Sequence, residues 1–93
     1  MLTAIVLIDC DAARIPEVAA ETAEIEGVSE VYSVTGEVDL IALVRVREHD
    51  RLADVIADKV SKVEGVLRTQ TYIAFRAYSK HDLEEAFALG LED

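Results

Sequence analysis

The sequence predicts an α+β domain: a four-stranded antiparallel sheet with two helices on one face. Three observations lead there. Shifted by 38 residues, the chain partly overlays itself. Leu2-Thr3-Ala4-Ile5-Val6 falls on Leu40-Ile41-Ala42-Leu43-Val44, and Ile25-Glu26-Gly27-Val28 on Val63-Glu64-Gly65-Val66. Each copy reads strand, helix, strand from its apolar periodicity. And 93 residues suffice for one small domain, 1–93, with a thin core.

The elements follow in order. Leu2 to Ile8 is almost wholly apolar and β-branched, as a strand buried on both faces requires. Asp11 or Ala12 opens the next turn, and Pro16 suits a first helical turn, where its missing N–H is no loss. Ile15, Val18, Ala19, Thr22 and Ile25 mark the buried helical stripe, and Arg14, Glu17, Glu21 and Glu24 the solvated one. Gly27 is placed to end this helix, and Val28 to Val34 form a second strand. Leu40 to Val46 form a third. His49 or Asp50 is the expected N-cap of a helix with Leu52, Val55, Ile56, Val60 and Val63 inward, closed by Gly65. Val66 to Tyr78 read as a long last strand, with Leu67, Thr69, Thr71, Ile73 and Phe75 on one face and Arg68, Gln70, Tyr72, Ala74 and Arg76 on the other. Lys80 to Leu89 add a short helix through Leu83, Ala86 and Phe87. Two such units in tandem give the ferredoxin-like βαββαβ arrangement.

Both crossovers place their helices on one face, so the other face lacks cover from its own chain. Leu2 or Thr3, Ala42, Val44 and Tyr72 are its expected members. With 52% hydrophobic residues in so short a chain, that face is expected to pair with a second copy, face to face or by strand edges.

Charge removes several function classes. The net charge of −10, with nine basic residues scattered and no basic stripe, argues against nucleic acid and against anionic membrane surfaces. No apolar run is long enough to span a bilayer, and no signal peptide is evident, so the expected location is cytoplasmic. One cysteine, Cys10, gives no disulfide framework and reads as a buried structural thiol. His49 and His81 read as solvated or capping residues. Asp9, Asp11, His49, Asp50, His81 and Asp82 have no spacing that matches a metal site. No nucleophile–base set or phosphate-binding glycine loop is present, so neither an enzyme nor a cofactor is expected.

The segment with most chemical content is Thr35-Gly36-Glu37-Val38-Asp39-Leu40, which joins the second and third strands. A hairpin needs only a small polar turn. This one carries two carboxylates around an apolar residue, an arrangement suited to a small cationic or zwitterionic group. The alternative is a solvated turn. Thr69, Gln70 and Thr71 on the last strand offer further hydrogen-bonding groups, or are simply good strand formers.

The run Val34 to Val44 resembles the Gly-x-x-Asp-hydrophobic hairpin of the leucine-responsive regulatory protein / AsnC family, in its carboxy-terminal effector (RAM) domain. The two Glu-Gly-Val helix ends and the Thr69-Gln70-Thr71-Tyr72-Ile73 strand are similar to the same family, and the resemblance covers nearly the whole chain. It implies sheet-mediated homodimers, assembly of dimers into rings such as tetramers of dimers, and an amino acid bound at the junction between dimers. Carried over by residue, Gly36, Glu37, Val38, Asp39 and Leu40 match the hairpin, and Thr69, Gln70 and Thr71 the strand segment. The family often has Asp-Tyr where Glu37-Val38 stands here, so Val38 brings no phenol. Family transcription factors also carry an amino-terminal helix-turn-helix. Here the effector-like part begins at Met1 or Thr3, so the expectation is a stand-alone domain without a DNA-binding part. Its expected function is to bind an amino acid or related metabolite and to oligomerise, alone or mixed with a full-length family regulator. The alternative is a purely structural interaction module that binds nothing small.

Overall fold

A computed structural model describes residues 1–80 of the chain. The expected C-terminal helix, with His81 and Asp82, lies outside the described residues. The strands are β1 (Leu2–Cys10), β2 (Val28–Ser33), β3 (Leu40–Val46) and β4 (Val66–Ile73). The helices are α1 (Ile15–Ala23) and α2 (His49–Ile56), with single 3-10 turns at Ala12–Arg14 and Val60–Lys62. All pairings are antiparallel and the strand order is β2-β3-β1-β4, the ferredoxin-like order.

Alternation along the two central strands fixes the layers. Ala4, Val6 and Ile8 of β1 and Leu40, Ala42 and Val44 of β3 are fully buried, together with Val18 and Thr22 of α1. Leu52 and Val55 of α2, with Val60 just beyond it, close the other half of this core. Ala42 and Val44 therefore belong to the helix-covered face, not to the open face where the sequence placed them. β3 is apolar at five successive positions, so its period carries no phase. The pairing Ala4↔Val44 and Val6↔Ala42 supplies that phase. The open face instead carries Ile5 and Leu7 beside Leu43 and Ile41, flanked by Tyr32 and Tyr72.

The helices are shorter than their stripes. Asp11 Oδ1 accepts from Ala13 N at 3.0 Å and opens the first connection. Pro16 stands in the first turn of α1. Glu48, rather than His49 or Asp50, occupies the N-cap position of α2, and its side chain makes no capping bond. α2 stops at Ile56, and a separate turn then delivers Val60 into the core. β4 ends at Ile73. Only Ala74 N, donating to Thr3 O at 2.8 Å, prolongs its ladder, and Phe75 is fully exposed.

The repeat reappears in the backbone. Gly27 and Gly65, equivalent under the 38-residue shift, both have φ +102°. Each passes beneath the helix of the other half. A Cβ on Gly27 would stand 2.9 Å from Val55 Cγ2 of α2, and one on Gly65 would stand 3.0 Å from Val18 Cγ2 of α1. Their carbonyls accept from the sheet: Gly27 O from Arg45 N and Gly65 O from Asp11 N, each at 2.8 Å.

Two predictions follow from this packing. Gly27→Ala adds steric overlap to a left-handed backbone, at a cost of about 2–4 kcal/mol. Gly36→Ala, also at positive φ but with nothing within 4 Å of its Cβ, incurs only the backbone part. Urea midpoints at one fixed protomer concentration measure both; equal losses would show that the crowding under α2 contributes nothing. The second concerns Thr22, which is fully buried with no hydrogen-bond partner for Oγ1 among the described residues. Thr22→Val keeps the shape and removes a desolvated hydroxyl, so stability should rise by about 1 kcal/mol. A fall in the thermal midpoint would mean that the hydroxyl is satisfied after all.

Candidate functional site

The hairpin of residues 34–39 is held to the sheet by three hydrogen bonds. Val34 N donates to Asp39 O at 3.1 Å, and Asp39 N donates to Ile8 O at 3.1 Å. Cys10 N donates to Asp39 Oδ2 at 2.9 Å, across 29 residues of sequence. The half-buried Asp39 carboxylate thus satisfies the last residue of β1, whose ladder with β4 is interrupted there. β1 pairs Asp9 with Arg68 but Cys10 with Val66, and Leu67 between them is expelled to solvent. Asp39 is a long-range strut, which is more than a local turn cap.

The other two aspartates at this end have partners of their own. Arg68 donates through Nε (3.0 Å) and a terminal nitrogen (2.7 Å) to Asp9 Oδ2. Asp11 holds Ala13 N and donates its own N–H to Gly65 O. Cys10 itself is buried. Burial raises its thiol above the ordinary value, and the negative charges of Asp39, Asp11 and Asp9 raise it further. The thiol is therefore protonated at neutral pH and a poor nucleophile.

The remaining hairpin groups are open. Glu37 is exposed, Val38 is half-buried, and no atom stands within 4 Å of a Cβ placed on Gly36. Among the described residues, the backbone N–H groups of Thr35, Gly36, Glu37 and Val38 donate no hydrogen bond, and Asp39 Oδ1 has no partner. Successive free N–H groups in a turn form a concavity suited to an anion. A half-buried carboxylate oxygen beside them suits a cation. Leu40 is a core residue with no exposed surface and offers nothing to a ligand.

The second expected group divides between the two faces. Thr69 and Thr71 lie on the helix-covered side, opposite Ile8 and Val6. Thr69 Oγ1 is 3.4 Å from Ser61 Oγ, and Thr71 lines a shallow apolar cleft of about 270 Å³ against α2 with His49, Leu52, Ile56 and Ile73. Gln70 lies on the open face and donates through Nε2 to the Tyr72 hydroxyl at 2.9 Å. β1 runs between β3 and β4, so the hairpin and Thr69 are separated by two strand spacings, about 10 Å. One protomer does not bring the two groups into contact. Sequence reasoning missed the Cys10 N–H and the Asp9–Arg68 pair. Both depend on the strand register and its interruption, which have no local signature.

Comparison with known proteins places this geometry. Residues 3–83 match the family model described as the Lrp/AsnC ligand binding domain. An uncharacterized HTH-type transcriptional regulator of Pyrococcus horikoshii is 39% identical over 59 residues, which is 63% of this chain and 39% of that protein. The chain therefore spans well under half the length of that curated relative. A crystal structure from Thermus thermophilus superposes with TM-score 0.81 and 46% identity, covering 86% of this chain and 100% of the other. A feast or famine regulatory protein from M. tuberculosis, complexed with L-methionine, superposes with TM-score 0.70 and 32% identity over 86% of this chain and 54% of that one. The fold, the hairpin and a family match over nearly the whole chain agree: the chain belongs to the Lrp/AsnC family, through its ligand-binding domain.

Proposed function

We propose that the domain binds an amino acid, or a metabolite with the same zwitterionic head, at the residue 34–39 hairpin, and that it does so as an oligomer. The observation that carries this reading is the pairing of four unused backbone N–H groups with the unused oxygen of Asp39. The N–H groups receive the α-carboxylate and Asp39 Oδ1 receives the α-ammonium, in a charge-assisted bond strengthened by partial burial. Glu37 faces solvent and contributes little. Thr69, Gln70 or Thr71 enters the site only from a neighbouring protomer, because its own hairpin lies too far away. The methionine complex of the 32%-identical regulator supports an amino acid as ligand and makes methionine the first probe. The relatives matched are transcriptional regulators, which links such binding to control of transcription, directly or through mixed assembly with a full-length family member.

Homodimerisation through the open sheet face supports the same reading, and dimers then assemble further at their hairpins. Ile5, Leu7, Ile41 and Leu43 form its apolar centre. The Asp9–Arg68 pair and the Arg45–Glu30 pair, at 2.7 and 4.0 Å, form its charged rim. An apolar centre inside a polar rim is the anatomy of protein interfaces. The purely structural reading has one observation in its favour: Asp39 already has a structural task in holding Cys10.

The two readings separate by experiment. Asp39→Asn keeps an oxygen for Cys10 N but loses the charge. It should leave the urea midpoint nearly unchanged and weaken methionine binding about 10- to 100-fold, the equivalent of 1.5–3 kcal/mol. Asp39→Ala should lose both stability and binding, whereas Glu37→Gln should change neither by much. If titration calorimetry gives one affinity for Asp39→Asn and wild type, or if none of the twenty amino acids shifts the melting temperature, the structural reading stands. For the interface, light scattering of the wild type should give at least twice 10.2 kDa, and Leu43→Glu should reduce it to the protomer without loss of helical signal. A wild type running as a clean protomer at micromolar concentration would refute the sheet-face dimer.

A further inference from the structure

At the end of β3 opposite the hairpin lies a cleft of about 430 Å³. Seven strand residues separate the two places, roughly 20 Å. Arg45, Arg47 and Arg51 line this cleft, three of the nine basic residues in a chain of net charge −10. Its volume falls in the range of small-molecule sites. Val55, almost fully buried, provides apolar wall.

The charges in the cleft are poorly matched to one another. Glu26 and Glu48 also line it, yet neither lies within 4.0 Å of an arginine nitrogen. Arg45 reaches only Glu30, at 4.0 Å, and Arg47 and Arg51 have no ion pair among the described residues. Arginines in an acidic protein ordinarily find carboxylates close by. Guanidinium groups are planar forks that take carboxylate or phosphate oxygens two at a time. α2 also begins here, with a glutamate at the N-cap position that makes no side-chain cap.

We infer that this cleft is a second ligand site, for a small dianion of the phosphate or dicarboxylate type. Arg47 and Arg51 grip the anionic groups, and Arg45 supplies additional positive potential. The inference does not rest on the hairpin reading, since the two sites share no residue.

Calorimetric titration of the wild type at low ionic strength tests it, with sodium pyrophosphate and sodium succinate as separate probes. At least one should give saturable binding, and the probe that binds identifies phosphate or dicarboxylate chemistry. The double variant Arg47→Gln/Arg51→Gln should bind that probe at least about tenfold more weakly. Both side chains are exposed, so the variant should keep its circular dichroism and melting temperature. Arg76→Gln, outside the cleft, should bind as wild type does. Failure of both probes to bind the wild type overturns the inference. So does equal affinity in the double variant, or an equal loss in Arg76→Gln, which would indicate only general charge attraction. Methionine binding at the hairpin is measured independently of every arm.

Discussion

Two crossings hold this domain together. At Gly27 and at Gly65 the chain leaves one half of the molecule and passes so close beneath the helix of the other that no side chain fits between. Each helix is thereby seated on the turn that ends the opposite repeat. Neither βαβ unit can pack its core alone, because the valine that closes over each glycine belongs to its partner unit. The layer of Ala4, Val6, Ile8, Leu40, Ala42 and Val44 can be thin because the helices sit this low. A short chain with little interior gains density where it has little volume.

The same closeness organises the far ends of the strands. The Gly65 carbonyl holds Asp11, and Asp39 holds Cys10, so the last residues of β1 are fixed by two separate loops. The hairpin is consequently a rigid platform at its base and open at its tip. Groups that are to meet a ligand gain from such an arrangement, since little ordering remains to be done on binding.

Much of this was legible in the sequence, and the illegible parts have physical reasons. The duplicated Glu-Gly-Val ends located both crossings, because a glycine at a helix terminus has a backbone meaning that survives without coordinates. The stripes on α1 and α2 predicted their inward residues correctly. The phase of β3 was not readable, since an unbroken apolar run looks the same from either face. The end of α2 was not readable either: residues 57–59 hold neither glycine nor proline, and the break there serves the placement of Val60. The Asp39–Cys10 bond spans 29 residues and leaves no pattern. Arg45, Arg47 and Arg51 appeared scattered because a strand end and a helix start, read separately, do not show that they surround one space.

Both outer strands of the sheet are irregular. β2 slips register between Val28 and Glu30, and β4 slips opposite Asp9 and Cys10. A regular outer strand offers a straight row of unpaired amides that any other chain can extend, and proteins commonly blunt that row with bulges and charge. With both borders broken in this way, continuation of the sheet from molecule to molecule is disfavoured. Assembly is steered toward the flat of the sheet, where it closes on itself after a fixed number of copies instead of running on as a fibre.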